Sequence, residues 1–265
     1  MVLESIYPIK KVIKNPIDMF IFSVVISFAS IFIANYIFPG PSIGKIVTLF
    51  ITVAVTPMFY RVFRVEENIE KKEAEHKIHE KFFERHEETI WLFSLFFLGV
   101  FTAIFIFSVF SPEEYVKSTF EDQLAEITRV TSISGSFVAS DMLELIITNN
   151  LRVMGLCFLL SFLIGTGAIV ILSWNASILA VYLASFVRKG LIEEFIIRTI
   201  SLVPHAPVEI AAYFLAGIAG GVFSTGIIRE KLFGREFLLV FRDSLFLLGL
   251  SVLAVVLGGF IEVFV

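Results

Sequence analysis

Cysteine, charge and histidine are all scarce in this chain, and each scarcity removes a class of function. A single cysteine, Cys157, stands inside an apolar run. That excludes an intrachain disulfide framework and a thiolate metal site, and leaves a small apolar packing residue. Asp, Glu, Lys and Arg make up 17% of the 265 residues, against about 25% in a soluble domain. The net charge of −4 is too mild to point to nucleic acid. The dyad alternation of a membrane β-barrel is missing. A cleavable signal peptide is not expected either. Met19–Phe38 is too long for its apolar core and no small-residue cleavage site follows, so the segment should stay as an anchor.

What the chain has instead is apolar length. Hydrophobic residues are 57% of the total and are bunched into runs that show no polar stripe. Within a bilayer each run must satisfy its own backbone, so it must be helical. A span needs about 20 apolar residues. The runs are Met19–Phe38, Ile43–Phe63, Ile90–Phe110, Leu151–Leu172, Asn175–Val187, Pro207–Ile228 and Ser244–Val265. The fifth is short and reads as a tilted span or a re-entrant piece. The expected fold is all-α: a polytopic bundle of six to seven spans with a charged cytoplasmic helix and an interfacial helix. Four parts are expected: an N-terminal hairpin (1–63), the charged helix (64–89), a third span with an extracytoplasmic segment (90–148), and a core (149–265).

Basic residues set the orientation. Lys10, Lys11 and Lys14 precede the first span, Arg61 to Arg85 follow the second, and Arg229, Lys231, Arg235 and Arg242 precede the last. Residues 111–148 hold only Lys117 and Arg129 against seven acids. With seven spans the three basic regions share one side, which places the N-terminus in the cytoplasm of a multi-pass cell-membrane protein. In the charged helix, Glu67–Lys71 and Glu73–Lys77 fall at pairing distance, four apart. His76, His79 and His86 on the same stretch read as parts of a solvated face, with no thiol or third fixed ligand beside them.

Polar residues inside or at the mouth of a span are functional candidates. Asn149, Asn150 and Arg152 open the fourth span, and Asn175 lies at the fourth-to-fifth turn in Ser173-Trp174-Asn175-Ala176-Ser177. Ser201 to Glu209 opens the sixth. Pro204 suits the first helical position and Pro207 the first turn, while His205 and Glu209, four apart, share a face. Topology gathers Asn149, Asn150, Arg152, His205 and Glu209 into one extracytoplasmic-facing polar cluster, with Glu262 at a similar depth and Arg152–Glu209 as the expected ion pair. Asn175 falls on the opposite face. Inter-helix hydrogen bonding is the structural alternative, at about 0.6 kcal/mol per contact. Gly165, Gly167, Gly217 and Gly221 read as packing residues that let helices approach closely. Leu191–Val203 suggests an amphipathic helix at the outer interface.

These residues resemble the stage II sporulation protein M family over roughly 140–265. The likeness rests on Asn149-Asn150 before Ile164-Gly165-Thr166-Gly167, on Asn175, and on Pro204-His205 with Glu209 followed by Ala211-Ala212-Tyr213-Phe214-Leu215-Ala216-Gly217. The family usually has Pro-His-Gly where this chain has Ala206, and Asn-Gly where it has Asn175-Ala176. The first two spans and charged helix look like those of archaeal members. In endospore formers the resemblance implies a scaffold for wall-degrading enzymes during engulfment. For this chain it implies a fold and a motif. The expected function is a non-enzymatic membrane scaffold or assembly factor. The alternatives are a transporter or channel using Glu209 and His205, and, further off, an intramembrane hydrolase. No cofactor or metal is expected. Expected partners are the lipid bilayer and either other membrane proteins or further copies of the chain, with no nucleic acid.

Overall fold

A computed structural model of the chain describes residues 17–40, 42–76, 82–134, 139–229 and 234–264. The elements along them are α-helices: α1 (Ile17–Ile37), α2 (Ile43–His76), α3 (Phe82–Phe110), α4 (Glu113–Thr119), α5 (Glu121–Ser134), α6 (Ala139–Ile164), α7 (Ala168–Arg188), α8 (Ile192–Leu202), α9 (Ala206–Arg229) and α10 (Arg235–Phe264). Seven of them are long and apolar enough to cross a membrane: α1, α2 as far as Val62, α3 from Glu87, α6, α7, α9 and α10. The protein is a polytopic helical bundle. Successive spans alternate in direction. The near face holds the starts of α1, α3, α7 and α10. The far face holds their other ends, together with α4, α5 and α8.

The core is apolar and rich in phenylalanine. Phe59 of α2, Phe93 of α3 and Phe214 of α9 are buried and stack in series, with ring centroids 4.5 Å and 5.7 Å apart. On α1 a buried stripe of Ser23, Ser27 and Ser30 lets α3 come close. Gly99 of α3 sits directly on Ser23 and the Phe20 carbonyl. Dispersion at short range replaces the hydrophobic drive that a bilayer lacks between helices. At the far end Arg188 of α7 donates to the Ser108 and Ser111 carbonyls at 2.7 and 2.5 Å. A cation thereby satisfies acceptors that the end of α3 would otherwise leave orphaned.

The fourth and fifth spans divide differently from the sequence expectation. Apolar character continues through Leu172, but the helix breaks earlier, at Gly165-Thr166-Gly167. Gly165 takes φ +80°, and its amide donates to the Ser161 carbonyl at 2.6 Å, a left-handed glycine stop. The Ser161 hydroxyl then accepts the Ala168 amide at 2.9 Å, so one serine closes α6 and opens α7. Gly167 lies so close to Leu160 that a side chain would collide with its backbone. Gly165 and Gly167 therefore make a corner. As a consequence α7 is a full 21-residue span, neither short nor re-entrant. Asn175 lies within it instead of at a turn, its amide donating to the Ile171 carbonyl at 2.8 Å.

The segment after α3 is not a loop. α4 and α5 fold down on the far end, with Phe120 fully buried beside Phe107. Thr119 donates to Asn35 at 2.9 Å, and Lys45 donates to Asp122 at 2.6 Å. On the outside of α5 the Arg129 guanidinium hydrogen-bonds Glu126 and holds its carboxyl below the ordinary carboxylate value. This is an exposed pair of small energetic weight. α8 buries no residue; Ile192, Ile196, Ile197 and Ile200 all point outward, as on a helix lying in a membrane interface. At the near face α2 and α3 both continue past their spans, to His76 and from Phe82. The ion pairs and histidine positions expected along 64–86 lie outside the described side chains.

Candidate functional site

The site is assembled where α6, α9 and α10 pack on one another near the far face. α9 begins at Ala206, with the Val208 and Glu209 amides closing on the His205 carbonyl at 2.9 and 3.1 Å. His205 is thus the cap residue. Pro204 lies just outside the helix and Pro207 inside its first turn, where a missing amide hydrogen costs little. This start points Glu209 inward. Its carboxyl faces Asn150 of α6 and Glu262 of α10. Glu262 in turn lies within electrostatic reach of His205.

Two glycines on α10 make the space. A Cβ on Gly258 would lie 2.6 Å from the Glu209 Cγ, and one on Gly259 would lie 2.9 Å from Ile147 of α6. Tyr213, one turn beyond Glu209, donates its phenolic hydrogen to Asn150 Oδ1 at 2.8 Å. The Asn149 amide reaches the same oxygen at 3.4 Å. Asn150 is 6% exposed and Tyr213 5%, so this hydrogen bond is made away from water and fixes the carboxamide orientation. Below the site α9 stays close to the start of α7 through Gly217, which sits on Ala168, and to α6 through Gly220, which sits on the Phe158 carbonyl and Ser161. Gly221 is buried on the same helix.

Of the residues expected in the cluster, Asn150, Glu209 and His205 converge with Glu262. Asn149 is at the margin, exposed but touching Asn150. Arg152 is not part of it. It is exposed and makes no ion pair with Glu209, because two residues along a helix from Asn150 is a rotation of about 200°. Tyr213, Gly258 and Gly259 were not anticipated. Their signal was present as spacing: Tyr213 stands four after Glu209, and Gly258 four before Glu262.

The result is a half-buried carboxyl pair with no Lys or Arg among the groups acting on it. Glu209 Oε1 is buried and accepts no hydrogen bond from the described residues. The carboxyl pair itself offers oxygens to a ligand, a set that suits a proton or a hard cation, with the His205 imidazole beside Glu262. Among the described residues no three His, Cys, Asp or Glu side chains gather as metal ligands would.

A family model described as Stage II sporulation protein M matches residues 91–265. The chain belongs to the stage II sporulation protein M family. In this family member the match takes in α3 to α10, a longer stretch than the 140–265 over which the motifs are legible. It includes α4 and α5, which cap the far end, while α1 and α2 precede it. The sporulation protein M region thus contains the whole Glu209 site and the Gly165–Gly167 corner. No curated protein and no solved structure matches the chain at a significant level.

Proposed function

We propose that this family member is a non-enzymatic scaffold or assembly factor of the cell membrane, with its N-terminus in the cytoplasm and the Glu209 cluster toward the extracytoplasmic side. The orientation rests on the Lys and Arg bias of the near-face segments. The observation that carries the scaffold reading is α2. It runs unbroken from Ile43 to His76, 14 residues past the end of its span at Val62, or about 21 Å of rigid helix beyond the bundle. A stiff arm of mixed charge, fixed to a membrane bundle, presents a surface to other membrane or peripheral proteins. The test is quantitative co-purification from native membranes after mild cross-linking, comparing the natural chain with a Lys71→Glu, Lys72→Glu variant of unchanged melting temperature. A specific partner present in fixed proportion should fall at least about tenfold, by analogy with losing charge complementarity of roughly 1.4 kcal/mol. An unchanged partner profile would remove the arm from the account.

A second reading, transport or conduction, is favoured by one observation: Glu209 and Glu262 face each other with no Lys or Arg among the groups acting on them. Ionisable groups placed so within a membrane line ion and proton paths. Liposome flux that depends on Glu209, and is lost in Glu209→Gln, would move the assignment from scaffold to transporter.

A further inference from the structure

A second polar seam enters the bundle from the far face, between α2, α5 and α7, on elements separate from the Glu209 cluster. Gln123 of α5 has no exposed surface. Its carboxamide is pressed on Gly44 of α2, where a Cβ would meet Oε1 first, then Nε2 at 2.6 Å and Cδ at 2.8 Å, so the glycine is a seat shaped for it. Nε2 donates to Ser177 of α7 at 3.1 Å, and the Ser177 hydroxyl donates to the Trp174 carbonyl at 2.7 Å. Gln123 Oε1 is buried with no hydrogen-bond partner among the described residues.

One turn further in, Ser173 is also fully buried, and its hydroxyl has no partner among the described residues. Most polar side chains on these helices behave otherwise: Thr48, Thr52, Asn175 and Ser185 all bond back to their own helix. One residue before Gln123, Asp122 offers Oδ1 to Lys45 while its Oδ2 is buried and unpartnered among the described residues. Three oxygens in sequence, from Asp122 through Gln123 to Ser173, therefore want hydrogen bonds that the described residues do not make. Each costs about 1–3 kcal/mol if left so. A water that bridges two such groups removes the cost.

We propose that this seam is a hydrated inlet, a binding site for a short file of water. It passes Asp122 and Lys45 at the far face and reaches Ser173 in the bundle interior by way of Gln123 and Ser177. The Gln123 carboxamide is its narrow point, holding the file with one oxygen while its nitrogen anchors α5 to α7. Polar backbone and side chains are tolerated at such depth where they line water. The proposal does not depend on the function assigned to the Glu209 cluster.

The test is thiol accessibility to silver ion, small enough to follow single waters, with the full chain in lipid nanodiscs and Cys157→Ala as background. Ser177→Cys and Ser173→Cys each exchange one atom, and both should react at least about tenfold faster than Leu172→Cys and Ala176→Cys, which are equally buried on α7 but lie off the seam. Adding Gln123→Leu should slow Ser173→Cys to the rate of those controls. Protection against maleimide labelling after denaturation reads the result, and elution as a single folded species qualifies each variant. Where one seam variant does not fold, the other alone decides. Reaction of a folded seam cysteine no faster than Leu172→Cys overturns the inlet, and so does a Ser173→Cys rate indifferent to Gln123.

Discussion

Replacing Gly220 by alanine should lower the melting temperature of the detergent-solubilised protein, and replacing it by leucine should prevent folding. A Cβ at this position would stand 2.9 Å from the Phe162 amide nitrogen and 2.9 Å from Ser161 Cβ, and closer still to the Phe158 backbone. These are largely main-chain atoms of α6, which cannot swing aside as a side-chain tip can. Relief requires α9 to move away from α6, and that separation would also loosen Gly217 from Ala168 and strain the Ser161 bridge at the α6–α7 corner. Overpacking of this kind costs about 1–3 kcal/mol for a small insertion, and about 2–4 °C of melting temperature follows each kcal/mol in a chain of this size class. Gly249 is the control. Nothing lies within 4 Å of a Cβ built there, so alanine should be neutral or stabilise by up to about 1 kcal/mol through helix propensity. Equal effects at the two positions would mean that the close approach of α9 to α6 is not what holds the core.

The second large effect concerns Glu209. Substitution by methionine, which is unbranched and similar in length, should raise the melting temperature while abolishing whatever the site does. One oxygen of the natural side chain, Oε1, is buried against another carboxyl with no hydrogen-bond partner among the described residues, which is unfavourable by about 1–3 kcal/mol. Replacing such a group by an apolar one of matching shape relieves it. If Glu209 serves only to hold helices together, Glu209→Met should lower the melting temperature instead. Tyr213→Phe separates the two roles further. It deletes a real hydrogen bond to Asn150 and should cost about 0.5–1.5 kcal/mol. A site kept for function shows opposite signs at 209 and 213; a site kept for stability shows the same sign.

The fold class was legible because uninterrupted apolar length admits one solution in a bilayer, and the helices lie close to the runs that predicted them. The exception is instructive. Hydropathy runs on from Leu151 to Leu172, so it cannot register a break that depends on one left-handed glycine, Gly165, and on the space missing beside Gly167. The same limit turned Asn175 from a mid-helix residue into a supposed turn. In the site, Asn150 and Glu209 stood out because polar groups in a span are costly. Tyr213 did not, since an aromatic ring is at home in a membrane and only its hydroxyl matters here. Arg152 was misassigned because depth is readable from sequence, while the side of the helix it faces depends on where α9 and α10 pack. Gln123 was unremarked for a related reason: it reads as a polar residue outside the spans and is fully buried by the folding back of α5.

The central claim is that α9 and α10 meet at Glu209 and Gly258, with Arg152 turned away. Disulfide trapping tests it most directly. In a Cys157→Ala background, Glu209→Cys with Gly258→Cys should oxidise to an intramolecular disulfide, read as loss of both maleimide–polyethylene glycol gel shifts and their return on reduction. Arg152→Cys with Glu209→Cys should stay fully labelled under the same oxidant. A 209–258 pair that remains reduced while a 152–209 pair forms would contradict the packing on which the site is built.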